Sequence, residues 1–137
     1  MHQQVLEIEG RGRGFTDVSD AVQRVVAASG VRTGLCHLFL QHTSASLCLT
    51  ENAAPDVRAD LESWAQMLAP DGERRYRHDD EGPDDMPAHI RSLIAGVELT
   101  VPIGAGRLLL GTWQGLYLWE HRRYPLRRRI VVTIHGA

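Results

Sequence analysis

Alternation of apolar and polar residues near both ends of the chain predicts β-strands there. In the first such segment, Leu6 and Ile8 lie on one face and glutamates lie near or on the other. The same period of two recurs later in the chain. The predicted strands of this kind cover 4–9, 97–101, 107–120 (one long strand or a bent pair) and 129–135.

Apolar residues spaced three to four positions apart predict two amphipathic helices and a shorter third one. The first covers 18–28 and is closed by Gly30, and the second runs from Pro55 to Leu68. The third lies between a cap at Asp84 or Asp85 and Gly96. These elements are the connections between the predicted strands.

The order of elements predicts an α+β domain rather than a doubly wound parallel sheet. Segment 34–41 is apolar at both odd and even positions, which is typical of a central strand covered on both faces. Strands stand at both ends, helices lie between them, and a meander finishes the chain. Because 137 residues suit one core, we expect a single domain over 1–137, mainly an antiparallel β-sandwich with two to three helices.

Composition excludes several functional classes. All fifteen basic residues are arginine, so a Schiff-base lysine and a phosphate-loop lysine are both absent. The net charge of -2 gives no sign of nucleic-acid binding. Cys36 and Cys48 lie in apolar runs and are expected to be buried thiols in a reducing compartment. With no membrane-length segment, we expect a cytoplasmic protein that contacts no membrane.

The polar stretch 76–90 is the strongest candidate for chemistry. It holds five carboxylates and two histidines, His78 in a loop and His89 in the first turn of the third helix. Neutral imidazoles brought together from two elements suit zinc or a related metal. An acidic loop of this kind is, however, also typical of a solvated connection.

A third imidazole, His42, lies in a polar break between two apolar runs. Three imidazoles plus water form a catalytic type of zinc site. The neighbouring hydroxyls either bind an anion such as phosphate beside the metal or cap an ordinary turn. These hydroxyls belong to Thr43, Ser44 and Ser46.

Three further segments carry candidate groups. Trp113 and Gln114, between two glycines, either stack on and read a planar ring or form part of the core. Glu120 and His121 are candidates for acid–base or supporting roles. The arginine-rich run 122–129 indicates a solvated hairpin corner more than a phosphate site.

Taken together, the motifs of this chain resemble the YjbQ family, also called the secondary thiamine-phosphate synthase family. The likeness covers essentially the whole chain, and the combination is far more specific than any one motif. The matching strings are His42–Ser46, Glu51–Asn52 with Pro55, His78–Asp79 with Glu81–Gly82, Asp84–Pro87 with His89–Ile90, and Gly111–Gln114 followed by Glu120–Arg122.

The resemblance implies a homotrimer with a site near the subunit interface. It implies a divalent metal, with zinc favoured and magnesium an alternative for a diphosphate substrate. The metal ligands would be His42, His78 and His89. The implied activity joins a pyrimidine diphosphate to a thiazole phosphate, giving thiamine phosphate and pyrophosphate.

The motifs also indicate which residues would be catalytic or bind substrate, and two other functions remain as alternatives to the synthase. The candidate catalytic groups are Asp85, Glu120 and His121. The candidate substrate-binding residues are Thr43, Ser44, Ser46, Trp113, Gln114 and Arg122. A metal-dependent phosphoester hydrolase and a non-catalytic trimer that binds zinc and a ligand are the alternatives.

Overall fold

The computed structural model describes all 137 residues and contains three helices and eight strands. This confirms the α+β class. The strands are β1 His2–Glu9, β2 Gly14–Asp17, β3 Gly34–Leu40, β4 Ala45–Glu51, β5 Glu98–Gly104, β6 Arg107–Leu108, β7 Gln114–Glu120 and β8 Arg127–Gly136. The helices are α1 Ser19–Ser29, α2 Pro55–Leu68 and α3 Asp85–Ala95. None of them is long and apolar enough to cross a membrane.

Two antiparallel sheets share one core. The larger has the strand order β1-β8-β3-β5-β6 and the smaller has the order β2-β7-β4. Valines of α1 and aliphatic side chains from β3, β4, β7 and β8 form one cluster of 16 buried residues. The predicted antiparallel pairing is therefore confirmed, and burial of this cluster is the main favourable contribution to folding.

The outer face of the larger sheet is uncovered in the single chain, whereas the sequence predicted a central strand covered on both faces. Cys36, Leu38 and Leu40 of β3 point into the core and are buried. Leu35 and Phe39 point the other way and remain 50% and 42% exposed. The prediction of cover on both faces is wrong here, because α1 and the smaller sheet lie on the same side.

Segment 107–120 is a bent pair, one of the two forms predicted. Its start forms β6 in the larger sheet and its end forms β7 in the smaller one. Pro102 lies inside β5, and the turn comes at Ala105 and Gly106, both of which have positive φ. The short strand β2, which pairs with β7, was not predicted because glycines surround it.

Helix α2 lies on the surface, although its apolar stripe predicted a buried face. Of its side chains only Ala65 is buried, and Trp64 is half exposed. Helix α3 packs more closely, since the Ser92 hydroxyl donates to the Ala45 carbonyl at 2.8 Å. This contact holds α3 beside the beginning of β4, where the polar break at residues 42–44 lies.

Candidate metal centre

Three side chains converge at the start of α3. Asp85 and His89 lie one helical turn apart, which places them on one face. The Asp85 Oδ2 atom is 2.6 Å from His78 Nε2 and 3.2 Å from His89 Nε2. Potential ligand atoms of the three residues all lie within 4.8 Å of one another. We call these three residues the metal cluster.

Polar contacts, rather than an apolar core, order the loop that carries His78. Asp71, at its start, accepts two hydrogen bonds from the Arg13 guanidinium at 2.8 and 3.0 Å and one from Arg123. The Gly72 amide donates to the Pro83 carbonyl at 3.0 Å, which closes the loop on itself. The loop is thereby held against α3 without a hydrophobic period of its own.

Arg122 fixes the orientation of Asp85. This arginine is almost fully buried, and it donates to Asp85 Oδ1 at 2.7 Å and to Asp84 Oδ2 at 3.0 Å. It also donates to the Glu81 carbonyl at 2.9 Å. The N–H groups of Arg122 are thus engaged within the protein, whereas the sequence analysis expected this residue to bind substrate. The other Asp85 oxygen, Oδ2, is left facing the two histidines.

The same contacts set the ionisation of Asp85. Burial alone would raise the pKa of this carboxyl group. The hydrogen bond from His78 and the positive charge of Arg122 outweigh burial and hold the pKa below its usual value. Asp85 is therefore a carboxylate at neutral pH, the form in which it can bind a cation.

A main-chain contact selects the useful tautomer of His89. Its Nδ1 atom lies 2.9 Å from the Thr43 carbonyl oxygen, which can only accept. The hydrogen on Nδ1 therefore occupies that contact, and Nε2 is the ring nitrogen that faces Asp85 Oδ2, at 3.2 Å. The contact with Thr43 orients the ring so that Nε2 is presented beside a carboxylate oxygen, and the donor set fits a metal ion.

His78 is the most exposed member of the metal cluster. The hydrogen bond with Asp85 raises the pKa of His78, and the nearby Asp80 and Glu81 charges add to this effect. Its side chain is 41% exposed, and that of His89 is 32% exposed. One side of the metal cluster is therefore open to solvent.

His42 lies outside the metal cluster. Its Nε2 atom accepts from the Arg129 amide at 2.9 Å, and its Nδ1 atom is 3.3 Å from an Arg128 nitrogen. Burial, followed by the charge of Arg128, lowers the pKa of His42. Within this chain the third potential ligand is thus Asp85 rather than His42, whose role as a ligand stays a prediction.

A groove of about 460 Å³ lies on the side of His89 that faces away from the metal cluster. Its walls come from α3, the two residues after it and the break before β4. The apolar wall consists of Met86, Ile90, Leu93 and Val97, and the polar edge consists of His42, Thr43 and His89. We call this cavity the apolar groove.

Of the three predicted hydroxyls, only that of Thr43 lines the apolar groove. Ser44 Oγ is buried and accepts from Arg128 at 2.9 Å. Ser46 Oγ is fully buried, 2.7 Å from His121 Nε2. Two of the three predicted anion-binding hydroxyls therefore belong to the interior, where polar groups need partners.

Glu120 and His121 are also interior residues, which corrects their assignment as acid–base candidates. Glu120 accepts from Arg128 through both oxygens, at 2.8 and 2.5 Å, and from the His121 amide at 3.0 Å. His121 is fully buried, and burial is the main reason that its pKa falls to about 3. Neither side chain lines a cavity that a substrate could enter.

Trp113 and Gln114 lie far from the metal cluster in the same chain. Gln114 pairs with Glu51, whereas Glu120 pairs with Ala45 at the end of β4 nearest the site. Six residues of strand separate the two ends by about 20 Å. Trp113 is exposed, so it is not the core tryptophan that the sequence also allowed.

The arginine-rich run is in part the solvated corner that the sequence predicted, because Arg123, Arg127 and Arg129 are exposed. Arg122 and Arg128 turn inward, Arg123 pairs with Asp71, and Arg127 pairs with Glu9 at 2.7 Å. The run also connects the β7–β8 segment to the loop and to neighbouring strands through ion pairs.

Sequence reasoning missed the clamp by Arg122 and the apolar groove. The spacing of Asp85 and His89 was a usable signal for a shared ligand face, because residues four apart on a helix face the same way. The spacing of Met86, Ile90 and Leu93 was a second signal. No local pattern connected Arg122 to Asp85, since the two are 37 positions apart.

The chain as a whole matches a known family. The family model described as UPF0047 protein YjbQ-like matches residues 4–137, and the chain belongs to that family. A UPF0047 protein of Synechocystis sp. is 50% identical over 135 residues, which cover 98% of this chain and 92% of the relative. UPF0047 protein YjbQ of Salmonella typhimurium is 46% identical over 136 residues, 98% of each chain.

A solved structure extends the likeness to three dimensions. The crystal structure of a conserved hypothetical protein from Thermus thermophilus matches with a TM-score of 0.87 at 34% identity. The match covers 96% of this chain and 99% of the other. The names of these three relatives state no reaction, so function must be argued from the site.

Proposed function

We propose that this protein is a divalent-metal-dependent enzyme that acts on a phosphorylated small molecule. The observation that carries the proposal is the convergence of His78, Asp85 and His89. Asp85 is fixed by Arg122 on one oxygen and faces both imidazoles with the other. Such orientation of a ligand by a buried partner is common at protein metal sites.

Zinc is the metal that we propose. Two imidazoles and one carboxylate, with an open side, form a donor set used by catalytic zinc. Magnesium is a weaker candidate because it prefers an all-oxygen environment. When bound, the metal would supply a Lewis acid for a phosphoryl or diphosphate group. The chain itself contributes Arg122, which holds the carboxylate in place, and the Thr43 carbonyl, which holds the His89 ring.

The surroundings of the metal cluster favour catalysis over a purely structural zinc. Structural sites are usually closed by four protein ligands, often cysteines. Cys36 and Cys48 are in β3 and β4, are free thiols, and belong to no potential ligand group. Burial raises the pKa of both thiols to about 11, which disfavours the metal-binding thiolate. Free thiols also agree with a cytoplasmic location.

The first reaction to test is the one that the family resemblance implies. It is the joining of a pyrimidine diphosphate and a thiazole phosphate to give thiamine phosphate and pyrophosphate. Hydrolysis of a phosphoester is the second candidate, because a zinc site with an open position also suits attack by water.

We also propose that the protein forms a homotrimer. The outer face of the larger sheet supports self-association, since Val5, Val131 and Phe39 are cross-strand neighbours there and lie on the uncovered side. Analytical ultracentrifugation is expected to give three times the 15.3 kDa chain mass. Phe39→Lys is expected to lower that mass, whereas Met67→Lys on the exposed surface of α2 leaves it unchanged. A monomeric wild type would contradict the proposal.

Metal content tests the site directly. Elemental analysis is made on untagged wild type, His89→Ala and His135→Ala, each after dialysis against zinc and then against buffer. We expect one zinc per chain in wild type and none in His89→Ala. His135 is the matched control because it is exposed and makes no side-chain hydrogen bond. Zinc retained by folded His89→Ala would refute the site.

The same preparations are then assayed for thiamine-phosphate formation and for hydrolysis of a phosphoester. Product from wild type and from His135→Ala, but not from His89→Ala, identifies the reaction that needs the metal. Turnover at the wild-type rate in zinc-free His89→Ala would separate the reaction from the metal and contradict the proposal.

A further inference from the structure

Helix α3 serves two neighbouring sites with two faces. Asp85 and His89 face the metal cluster. Met86, Ile90 and Leu93 follow at spacings of four and three residues, and they line the apolar groove. His89 belongs to both sets, so the metal cluster and the apolar groove share one side chain as a common wall.

The apolar groove suits an uncharged part of a ligand. None of the residues that line it is an aspartate, glutamate or arginine. Several of its polar groups are already engaged, because the Ser92 hydroxyl donates to Ala45 and His42 Nε2 accepts from the Arg129 amide. Leu93 is nevertheless 86% exposed along the wall. A phosphate placed here would lose hydration and would gain few partners besides the Thr43 hydroxyl.

The opposite side of the metal cluster has the opposite chemistry. A second cavity, of about 300 Å³, is lined by His78 together with polar and charged residues of the loop, of which Arg74 is basic and Glu73 and Asp79 are acidic. Glu73 is paired with Arg75. Arg74 makes no hydrogen bond or ion pair within the chain. An arginine without a carboxylate partner is available for an anion. The metal cluster therefore lies between a polar pocket and the apolar groove.

From this arrangement we infer that the substrate is amphipathic. Its anionic group lies at the metal cluster on the His78 side, and an uncharged chain or ring occupies the apolar groove beside Met86, Ile90 and Leu93. The volume of the groove is within the range of ordinary small-molecule sites. This inference rests on the proposed function, and it adds the class of substrate.

Alkyl phosphonates of increasing length test the inference without turnover. Methyl-, propyl- and hexylphosphonate are titrated by calorimetry into zinc-loaded wild type, and zinc content is measured on each sample. We expect affinity to rise about fourfold for each methylene that becomes buried. Leu93→Gln is expected to reduce this dependence to about twofold or less. The variant should fold normally, because Leu93 is largely exposed.

Leu109→Gln is the matched control, an exposed leucine outside the apolar groove. It is expected to keep the chain-length dependence of wild type. Zinc-loaded wild type that binds all three phosphonates equally would overturn the inference but leave the proposed function intact. Wild type that binds no zinc would instead remove the proposed function. Equal binding with a lower assembly mass for Leu93→Gln would assign the groove to a second copy of the chain, also against the inference.

Discussion

Two clusters of the same residue types lie on either side of the polar break before β4, and they differ in whether their potential ligand atoms face an open side. The metal cluster, with Arg122 behind it, leaves imidazole and carboxylate atoms facing an open side. The second, which we call the core cluster, joins Glu120 to Arg128 and Ser46 to His121 with almost no exposure.

The comparison shows that residue type alone does not distinguish a reactive site from a structural one. Each cluster contains histidine, a carboxylate and a buried arginine. In the core cluster the arginine binds both oxygens of Glu120, and the one atom without a partner, His121 Nδ1, is buried away from any ligand. In the metal cluster Arg122 binds only one oxygen of Asp85. The other oxygen faces the two imidazoles and not the arginine, and this arrangement, together with the exposure of both histidines, provides the capacity to bind a metal ion.

The largest expected effect is on the core cluster. Arg128→Met leaves the Glu120 carboxylate buried without its partner, and we expect it to lower the free energy of unfolding by about 3–5 kcal/mol in urea denaturation. The matched control is Arg127→Met, because Arg127 is 61% exposed and pairs only at the surface. The control should lower the free energy of unfolding by less than about 1 kcal/mol. Equal costs would contradict the distinction between buried and surface pairs.

Acid should destabilise the core cluster through His121. Burial, and then the charges of Arg91, Arg13 and Arg128, lower its pKa to about 3 from the ordinary histidine value of 6.5. The unfolded chain therefore takes up this proton more readily, and stability falls as the pH drops from 6.5 towards 3. Between pH 7 and 4.5 the expected loss from this residue is about 2–3 kcal/mol.

His121→Gln is the comparison for that measurement, because glutamine keeps a polar partner for Ser46 but does not titrate. Denaturant unfolding at the two pH values is expected to show a smaller drop for the variant than for wild type. An identical drop would mean that the carboxylates alone account for acid sensitivity.

Metal binding should stabilise the protein through the metal cluster and not through the core cluster. Zinc at one hundred times its dissociation constant is expected to add about 2.7 kcal/mol to the stability of wild type, and chelation should remove it. Thermal unfolding should show this gain in Ser46→Ala but not in Asp85→Asn. A gain preserved in Asp85→Asn would move the metal to other ligands.

The smallest expected effect concerns Arg122, which donates to the Asp85 oxygen that faces away from the two histidines. Arg122→Met should weaken zinc affinity of the folded protein about 10- to 100-fold, because Asp85 loses the group that orients it. Arg122→Lys keeps the charge but cannot bridge Asp84 and Asp85 in the same way. We expect it to fall between Met and wild type in a competition titration. Unchanged affinity in folded Arg122→Met would show that Asp85 is held by other contacts.

Periodicity was sufficient for most elements of the fold. The spacing of valines predicted α1 and its end at Gly30, which has positive φ and closes the helix. Pro55 predicted the start of α2, because proline is favoured in the first turn of a helix. Burial was less predictable, because the stripe of α2 and the outer side of β3 look like core positions. Whether another element covers an apolar face depends on topology, which no local pattern contains.

The candidate site was predicted in part. His78 and His89 were recognised because histidines in an acidic segment lack a packing role, and the structure brings them together. Asp85 was expected as an acid–base group and lies instead between the two imidazoles. Glu120 and His121 have the same polarity as site residues. Their burial comes from pairing across strands distant in sequence, which local reasoning could not show.

By itself, the sequence determined the elements and the chemical groups available to a site. Helix and strand periods, glycine and proline positions, and the absence of lysine are properties of the chain that any fold must keep. Only the tertiary structure decided which groups are paired. Arg122 reaches Asp85 across 37 positions and Arg128 reaches Ser44 across 84. Ionisation and ligand capacity depend on such distances in space, because charge interactions and desolvation are set by three-dimensional neighbours.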